Sequence, residues 1–310
     1  MNFDAQRFED QAARPSVCMI ELKLSQGAKP WHGGILPAPK VTDEIAAIRG
    51  VPAGRTVFSP AAHRAFSTPR GLLEFVARLR EFAHGKPVGF KLCVGRRSDV
   101  LAICKAMLET RITPDFVTVD GGEGGTGAAP LEFSNSVGMP ARDGWLFVGN
   151  ALNGVGLRDR IRMIASGKIL TGFHMARALA FGADFCVSAR GMMLALGCIQ
   201  ALRCNSGHCS TGITTQNPAL VHGLNVSDKT ARVRRFHEAT VKGFLELLAA
   251  MGLRDPNELG PHLIFRRVDD LSVRSLRDIH DFFETGQLLH DDGVPKDWRE
   301  DWRAANPEQW

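Results

Sequence analysis

Three cysteines lie close together in the segment "CIQALRCNSGHCSTG", which starts at Cys198 and has the spacing C-x5-C-x4-C. Thiolates at this spacing are too far apart for C-x-x-C redox chemistry, and a tetrahedral zinc site would need a fourth ligand. Three soft ligands on one loop suit an iron–sulfur cluster that leaves one corner without cysteine. His208 would be a competing ligand. The alternative is that these thiols are small buried hydrophobic groups.

A glycine-rich segment, "DGGEGGTGAAP", follows a predicted strand and starts at Asp120. Glycine permits positive φ and lets the backbone approach a ligand closely, although a flexible turn would have the same composition. The segment matches neither the P-loop nor the dinucleotide fingerprint, which disfavours a nucleoside triphosphate. Two later segments, "ASGKILTG" and "SARG", have the form of a phosphate cradle, with ordinary βα turns as the alternative.

Several cations lie where they could meet an anionic ligand. Lys91 stands inside an apolar strand, where an ammonium is costly unless it reaches an anion or the mouth of a barrel. A side chain that snorkels from a strand end is the alternative. Four cations surround an earlier loop and could bind a dicarboxylate, although scattered surface cations would look the same. They are Lys23, Lys29, Lys40 and Arg49.

Composition and charge exclude several classes of protein. The chain has 310 residues, of which 44% are hydrophobic and 23% charged, and its net charge is +5. It lacks a basic stripe interleaved with aromatic residues, so we expect no nucleic-acid partner. No stretch reaches the roughly 18 apolar residues that a membrane span needs. The charged N-terminal stretch "MNFDAQRFEDQAARPS" is unlike a signal peptide.

The cysteine count bears on the compartment. Seven cysteines is an odd number, and four of them lie singly within apolar runs: Cys18, Cys93, Cys104 and Cys186. This pattern is unlike a secreted disulfide framework and fits a reducing environment. We therefore expect a cytoplasmic protein.

Short apolar strands alternate with amphipathic helices, which indicates βα units around a parallel sheet. The clearest helix has Thr68 as N-cap, Pro69 in its first turn and Gly85 at its close. Strands are predicted at 17–24, 87–95, 115–122, 161–167 and 184–190. Further helices are predicted at 98–110, 144–157 and 172–182.

Nearly every predicted strand ends in a polar or glycine-rich loop. A (β/α)8 barrel places its chemistry at these strand ends, whereas a doubly wound sheet concentrates ligand loops at one switch point. The sequence therefore predicts a TIM-type (β/α)8 barrel, which is incomplete because five strands cannot close it. We expect the partial barrel over residues 1–226 and a helical extension over 227–310 that ends in a loosely held tail.

Together these loops resemble the FMN-binding synthase domain of glutamate synthase. The chain is most similar to stand-alone bacterial proteins of this family that lack the glutamine amidotransferase domain. The matching segments run in order from Cys18 to about Leu220: "ELKLSQGAKPWHGGILPAPKV", "SPAAHRAFSTP", "GFKL", "FVTVDGGEGGTGAAPLEF", "LRDRIRMIASGKILTG" and "LGCIQALRCNSGHCSTGITTQNP".

The resemblance implies a barrel that holds FMN at its mouth beside a 3Fe-4S cluster. The implied reaction passes electrons through the cluster to the flavin. The flavin then reduces 2-iminoglutarate, formed from 2-oxoglutarate and ammonia, to L-glutamate or a related amino acid.

Residues at the matching motif positions take the roles that the family implies. The cluster ligands would be Cys198, Cys204 and Cys209. Catalytic roles would fall to Lys29, Lys91 and Glu123. The substrate would be bound by Lys23, Gln26, Arg49, Asp120 and Thr126. The flavin and its phosphate would be held by Gly124, Gly125, Gly167, Gly172, Ala189 and Arg190.

The chain also departs from the family pattern. The first barrel strands of the family have no counterpart before Met1, so the sequence reads as N-terminally truncated. Trp31 replaces a small glycine, and Ser210 replaces the proline that follows the third cysteine. The nucleophilic cysteine for glutamine hydrolysis has no counterpart, so an ammonia-supplying subunit and an electron-donor protein are expected partners, in an oligomer or complex. A non-catalytic, ligand-binding remnant, or a subunit of a larger complex, is the alternative.

Overall fold

The computed structural model describes residues 3–29, 33–125, 127 and 129–310. At its centre lies a parallel sheet whose five strands stand side by side in chain order. These strands are β1 (Ile20–Lys23), β4 (Val88–Cys93), β5 (Phe116–Asp120), β6 (Arg162–Ser166) and β7 (Phe185–Val187). The five predicted strands are thus confirmed, each shorter than the apolar run that predicted it.

Helices connect the central strands. They are α3 (Pro69–Phe82), α4 (Arg97–Thr110), α5 (Ala141–Gly154) and α6 (Gly172–Ala180). Parallel crossovers are almost always right-handed, so successive crossovers in one direction place all their helices on the same face of the sheet. A doubly wound sheet would instead reverse its strand order. The chain is therefore an arc of a (β/α)8 barrel with helices outside, as the sequence predicts.

Helix α3 shows how the local sequence determines where a helix begins and which of its faces is buried. The Thr68 side chain accepts a hydrogen bond from Gly71 N at 2.9 Å, which caps the helix, and Pro69 occupies its first turn. Leu72, Val76 and Leu79 repeat at helical spacing, and each is at most 1% exposed. The apolar stripe thus fixes the face that α3 turns toward the sheet.

Two small antiparallel pairs were not predicted from the sequence. One joins β2 (Ile35–Leu36) to β3 (Val57–Phe58), and the other joins β8 (Phe265–Arg267) to β9 (Val273–Ser275). The remaining helices are α1 (Ala5–Ala12), α2 (Asp43–Arg49), α7 (Arg190–Leu196), α8 (Pro218–Val221), α9 (Val226–Ala250), α10 (Leu276–Ile279) and α11 (Arg299–Ala304). Among the described helices none is long and apolar enough to cross a membrane.

The tail expected to be loosely held is instead packed against the outer helices, so that prediction is wrong. Trp298 is 6% exposed, and its ring centroid lies 4.6 Å from those of Phe147 and Phe283. The Arg97 guanidinium lies 4.7 Å from the Trp298 ring, which is a cation–π contact. The sequence did not reveal this docking because the tryptophans are separated by charged residues that face solvent.

Residues after α9 also join the main hydrophobic core. Ile264, Leu276, Leu288 and Val294 are each at most 4% exposed and belong to the cluster that contains the sheet residues. Helix α9 itself packs against α6 and α7. The division into 1–226 and 227–310 stays a prediction, and the two parts share one core.

Replacing Trp298 with alanine tests the docked tail. We expect Trp298→Ala to lower the free energy of unfolding by about 3–5 kcal/mol, because a large buried ring is lost. Urea unfolding measures the change. Leu271→Ala, at a side chain that is 97% exposed, is the control and should change stability by less than about 0.5 kcal/mol. Equal stability of the two variants would mean that the tail is not docked in solution.

Candidate functional site

A hollow of about 320 Å³ opens at the C-terminal ends of the central strands. We call this hollow the inner cavity. It falls within the range of roughly 300–1,000 Å³ typical of small-molecule sites. Its lining includes Lys23, Gln26, Lys91, Asp120, Glu123, Gly124, Gly125, Gly127, Ser166, Gly167, Lys168, Ala189, Arg190, Met193, Cys198, Gln200, Leu202 and Cys204.

Strand register explains why distant residues meet here. Lys23 pairs with Lys91, and Lys91 pairs with Thr118 on the next strand. The same row continues through Ile164 to Phe185. Register partners in a sheet share a face, and alternate residues along a strand point to opposite faces. Both lysines therefore lie on the concave face of the arc, which is the interior of the barrel.

The Asp120 carboxylate joins the strand ends around the inner cavity. It is 4% exposed and lies 3.3 Å from the Lys91 ammonium. Its oxygens accept hydrogen bonds from Gly27 N at 3.0 Å, from Gly121 N at 3.1 Å and from the Ser166 hydroxyl at 3.1 Å. A buried carboxylate is stable only with such partners. Asp120 is thus fully engaged by the protein.

Lys23 is held close to other cations at the rim. Burial lowers the pKa of Lys23, and the charges of Lys91 and Lys29 lower it further. Its ammonium donates a hydrogen bond to the Gln26 side-chain oxygen at 2.6 Å. Gln26 in turn donates to the Gly125 carbonyl at 3.3 Å. The excess positive charge at this rim favours an anionic ligand.

Glycines near the inner cavity serve mainly to pack backbone against backbone. A Cβ on Gly27 would lie 1.7 Å from the Gly121 carbonyl oxygen, and one on Gly122 would lie 2.4 Å from the Gly138 carbonyl oxygen. Gly125 has φ +67°, a left-handed conformation that glycine adopts without cost. The described first part of the glycine-rich segment, residues 120–125, is therefore a closely packed loop.

Glu123 lies at the start of a helix. Its two carboxylate oxygens accept from Ala141 N at 3.2 and 3.0 Å, so it caps α5 and meets the positive end of the helix dipole. Glu123 also lines the inner cavity, where the sequence predicts a catalytic role. The observed contact gives it a structural task as well.

Three of the residues predicted to form a phosphate cradle line the inner cavity. Gly167, Ala189 and Arg190 line it together, and the Arg190 guanidinium donates to the Gln200 side-chain oxygen at 2.8 Å. Gly172 does not line the inner cavity. It instead lies against α9, where a Cβ on Gly172 would come within 2.4 Å of Phe244 N. Gly172 thus serves helix packing.

Four cations and two carboxylates line the inner cavity, which leaves an excess of two positive charges. The cations are Lys23, Lys91, Lys168 and Arg190, and the carboxylates are Asp120 and Glu123. Because the wall is cationic and one end is lined by glycine backbone, the residues present fit a flavin mononucleotide with its phosphate at that end.

The three clustered cysteines are not equivalent. Cys198 and Cys204 line the inner cavity, whereas the Cys209 sulfur lies 3.4 Å from the Thr211 hydroxyl. Burial raises the pKa of Cys209, but hydrogen bonds with Thr211 and the Thr214 backbone outweigh it and lower the pKa to about 6. Thiolates are the form that binds metals.

The cysteines do not form a metal site as they stand. Among the described residues no group of three His, Cys, Asp or Glu side chains could hold a metal ion. The donor chemistry suits a soft metal centre, but the arrangement of the three sulfurs does not fit one.

Lys40 holds in place the segment that contains the three clustered cysteines, which we call the cysteine segment. Its ammonium donates to the Cys204 carbonyl and, at 2.8 Å, to the Thr214 carbonyl. These bonds join the segment after β2 to residues more than 160 positions later. A cation is thereby fixed on the backbone of this segment, which the sequence did not predict because backbone carbonyls leave no pattern.

Besides Gly172 and Cys209, two further predicted residues do not line the inner cavity. Arg49 is exposed at the end of α2, and Lys29 is half-buried after β1. Thr126 and Trp31 lie outside the described residues. The sequence reasoning did not single out Ser166, Lys168 or Gln200, which line the cavity. Ser166 ends β6 and Lys168 follows it, which was the available signal for those two, whereas Gln200 follows α7 and lies between two of the clustered cysteines.

Comparison with known proteins decides the family. The conserved region in glutamate synthase matches residues 14–254, more than half of the chain. The chain belongs to the glutamate synthase family. This confirms the resemblance on which the predicted roles depend, and the individual roles stay predictions.

The glutamate synthase large subunit-like protein YerD of Bacillus subtilis is 37% identical over 90% of this chain and 53% of its own length. The archaeal glutamate synthase (NADPH) of Methanocaldococcus jannaschii is 38% identical over 77% of this chain and 46% of its own length. The chain thus spans about half the length of the curated relatives that it matches. Among solved structures, a mutant flavocytochrome b2 with pyruvate bound has a TM-score of 0.49 and 14% identity, over 84% of this chain and 51% of that one.

Asp120→Asn tests the carboxylate network. We expect a loss of about 3 kcal/mol in the free energy of unfolding, because the Lys91 ammonium is left without its buried partner. The urea midpoint measures the effect. The matched control is Asp270→Asn, at an exposed residue, and should be neutral. A neutral Asp120→Asn would show that solvent screens the pair.

Lys40→Met tests the anchor of the cysteine segment. Hydrogen bonds from a charged donor contribute about 1.5–3 kcal/mol each. We therefore expect amide hydrogen exchange in residues 204–215 to rise at least about tenfold, while the central strands are unchanged. Lys242→Met, at a side chain that is 78% exposed, is the control. Unchanged exchange in the segment would contradict the anchoring role.

Proposed function

We propose that this chain is an FMN-dependent oxidoreductase of the glutamate synthase type. The proposed reaction reduces 2-iminoglutarate, formed from 2-oxoglutarate and ammonia, to L-glutamate or a related amino acid. The observation that carries the proposal is the cationic inner cavity, lined by two strand lysines and two glycine-containing strand ends, in a chain of this family. FMN, when bound, would supply the hydride that the imine carbon receives.

The residues of the inner cavity divide into two ends that suit the two ligands. Arg190 and Lys168, with the backbone at Gly167 and Ala189, would hold the phosphate of FMN. At the other end Lys23 and Gln26, joined by their 2.6 Å hydrogen bond, would bind a substrate carboxylate. Lys29, whose charge acts on Lys23, and Arg49 are proposed to add further positive charge there.

Lys91 is proposed as the group that faces the reacting end of the flavin. Its ammonium is fixed by Asp120 at 3.3 Å and is 20% exposed, so its charge acts in a largely desolvated place. A fixed cation would stabilise negative charge that develops nearby. Glu123 is proposed as a further catalytic group, Asp120 and Thr126 as substrate-binding residues, and Gly124 and Gly125 as contacts to the flavin.

The 3Fe-4S cluster is a separate part of the proposal. Cys198, Cys204 and Cys209 are the proposed ligands, and all seven cysteines lie in the described ranges as free thiols. Because no group of three such side chains among the described residues is placed to hold a metal ion, ligation would require the cysteine segment to rearrange. Free thiols also support a reducing, cytoplasmic location.

A second candidate is a subunit that works only within a larger assembly. Within the described residues β1 and β7 each pair with one strand, which leaves two open sheet edges. Phe185 on β7 faces the barrel interior and is 58% exposed. Such edges favour pairing with further polypeptide. An electron-donor protein and an ammonia-supplying subunit are the partners proposed for the complete reaction.

Flavin titration tests the proposed function. We expect the purified chain to bind FMN with quenching of flavin fluorescence. Arg190→Gln should weaken FMN binding at least about tenfold, since a charge-assisted phosphate contact is lost. Riboflavin, which lacks the phosphate, should bind the wild type and Arg190→Gln equally.

The controls separate the candidates. Arg254→Gln, at an exposed residue outside the inner cavity, should leave FMN binding unchanged. A chain that binds no flavin alone, but binds it with a longer family member's N-terminal half, would favour the subunit candidate. Absence of iron after anaerobic reconstitution, with FMN bound, would remove the cluster from the proposal and leave the flavin in place.

A further inference from the structure

A second hollow of about 220 Å³, the outer cavity, lies on the helix side of the ends of β1 and β4. Its lining shares no residue with that of the inner cavity. Its floor is formed by Leu92, Val94, Val100 and Ile103, each at most 7% exposed. The volume exceeds the roughly 150 Å³ of an engineered apolar cavity that binds benzene. The outer cavity can therefore hold an apolar group of that size.

Aromatic rings close the cavity on its outer side. His63 stacks on Phe66 with ring centroids 4.8 Å apart and planes 8° from parallel. Burial lowers the pKa of His63, so its ring is neutral at pH 7. Trp310 completes this wall. The rings extend the apolar surface and add no charge.

One cation and one anion stand together at the rim. Among the described side chains that line the outer cavity, Arg96 and Asp99 are the charged ones. Arg96 Nη2 lies 3.0 Å from Asp99 Oδ1, and Arg96 Nε lies 3.3 Å from Oδ2. Arg96 is 62% exposed and can turn outward, whereas Asp99 is 14% exposed. The rim thus offers one site for a carboxylate and one for an ammonium.

We propose that the outer cavity binds a free α-amino acid with a large apolar side chain. Arg96 would hold its carboxylate, Asp99 its ammonium, and the apolar floor its side chain. A zwitterion matches a rim with one charge of each sign, and the match brings no net charge to a largely apolar hollow. A nucleotide would need more cations than this rim has. The inference goes beyond the proposed function and does not depend on flavin.

Titration calorimetry of the chain with L-phenylalanine and L-leucine tests the proposal. We expect saturable binding at least tenfold tighter than that of 2-phenylethylamine or 3-phenylpropanoate, since each analogue lacks one charge. Arg96→Gln and Asp99→Asn should each weaken binding at least tenfold. Ala62→Trp places a ring in the cavity from an exposed loop residue and should abolish binding.

Arg64→Gln is the matched control, because Arg64 lies on the same exposed loop but does not line the cavity. It should bind both amino acids as the wild type does, and unfolding midpoints establish that all variants fold. No binding at millimolar amino acid would overturn the proposal. The proposal would also be overturned if 2-phenylethylamine or 3-phenylpropanoate bound as tightly as the amino acids. Unchanged amino-acid affinity in Arg96→Gln and Asp99→Asn would overturn it as well.

Discussion

The Asp120 carboxylate is the group on which the candidate site depends. It stands at the end of β5 and contacts Lys91 of β4, Gly27 after β1 and Ser166 at the end of β6. One buried anion thus ties together the ends of four strands. Without it the Lys91 ammonium would lie in a place of low polarity with no compensating charge. Because the network neutralises Lys91 within the protein, the lysine can be held at the interior face in one fixed position.

Close backbone packing adds to this constraint. Gly27, Gly121 and Gly122 meet neighbouring backbone at distances that no side chain would permit, and Gly127 approaches the Cys204 sulfur in the same way. The described residues of the loops after β1 and β5 and of the cysteine segment therefore pack together as one layer at the strand ends. Lys40 fastens that layer through two backbone carbonyls. Residues of this layer line part of the inner cavity.

The barrel arc is stabilised unevenly. Its outer side is well covered, since the tail brings Trp298 and its neighbours onto α4 and α5 and closes the helix layer. Within the part of the chain that the structure describes, β1 and β7 are open edges of the sheet, and Phe185 on the concave side is exposed. Stability therefore comes from the helix-facing core, whereas the concave face keeps the polar and charged groups that a ligand would contact. That division separates the residues that maintain the fold from those available for chemistry.

The sequence by itself determined the strand order, the main helices and the family. The spacing of apolar residues, the residues that cap helices and the motifs that occur in order are all local signals. It also identified Lys23, Lys91, Asp120, Gly167 and Arg190, all of which line one cavity. Only the tertiary structure decided that Gly172 packs against α9, that Glu123 caps α5 and that Cys209, unlike the other two clustered thiols, does not line the inner cavity. It also decided the docking of the tail and the existence of the outer cavity. These features arise from contacts between residues far apart in the chain, whose geometry no local spacing records.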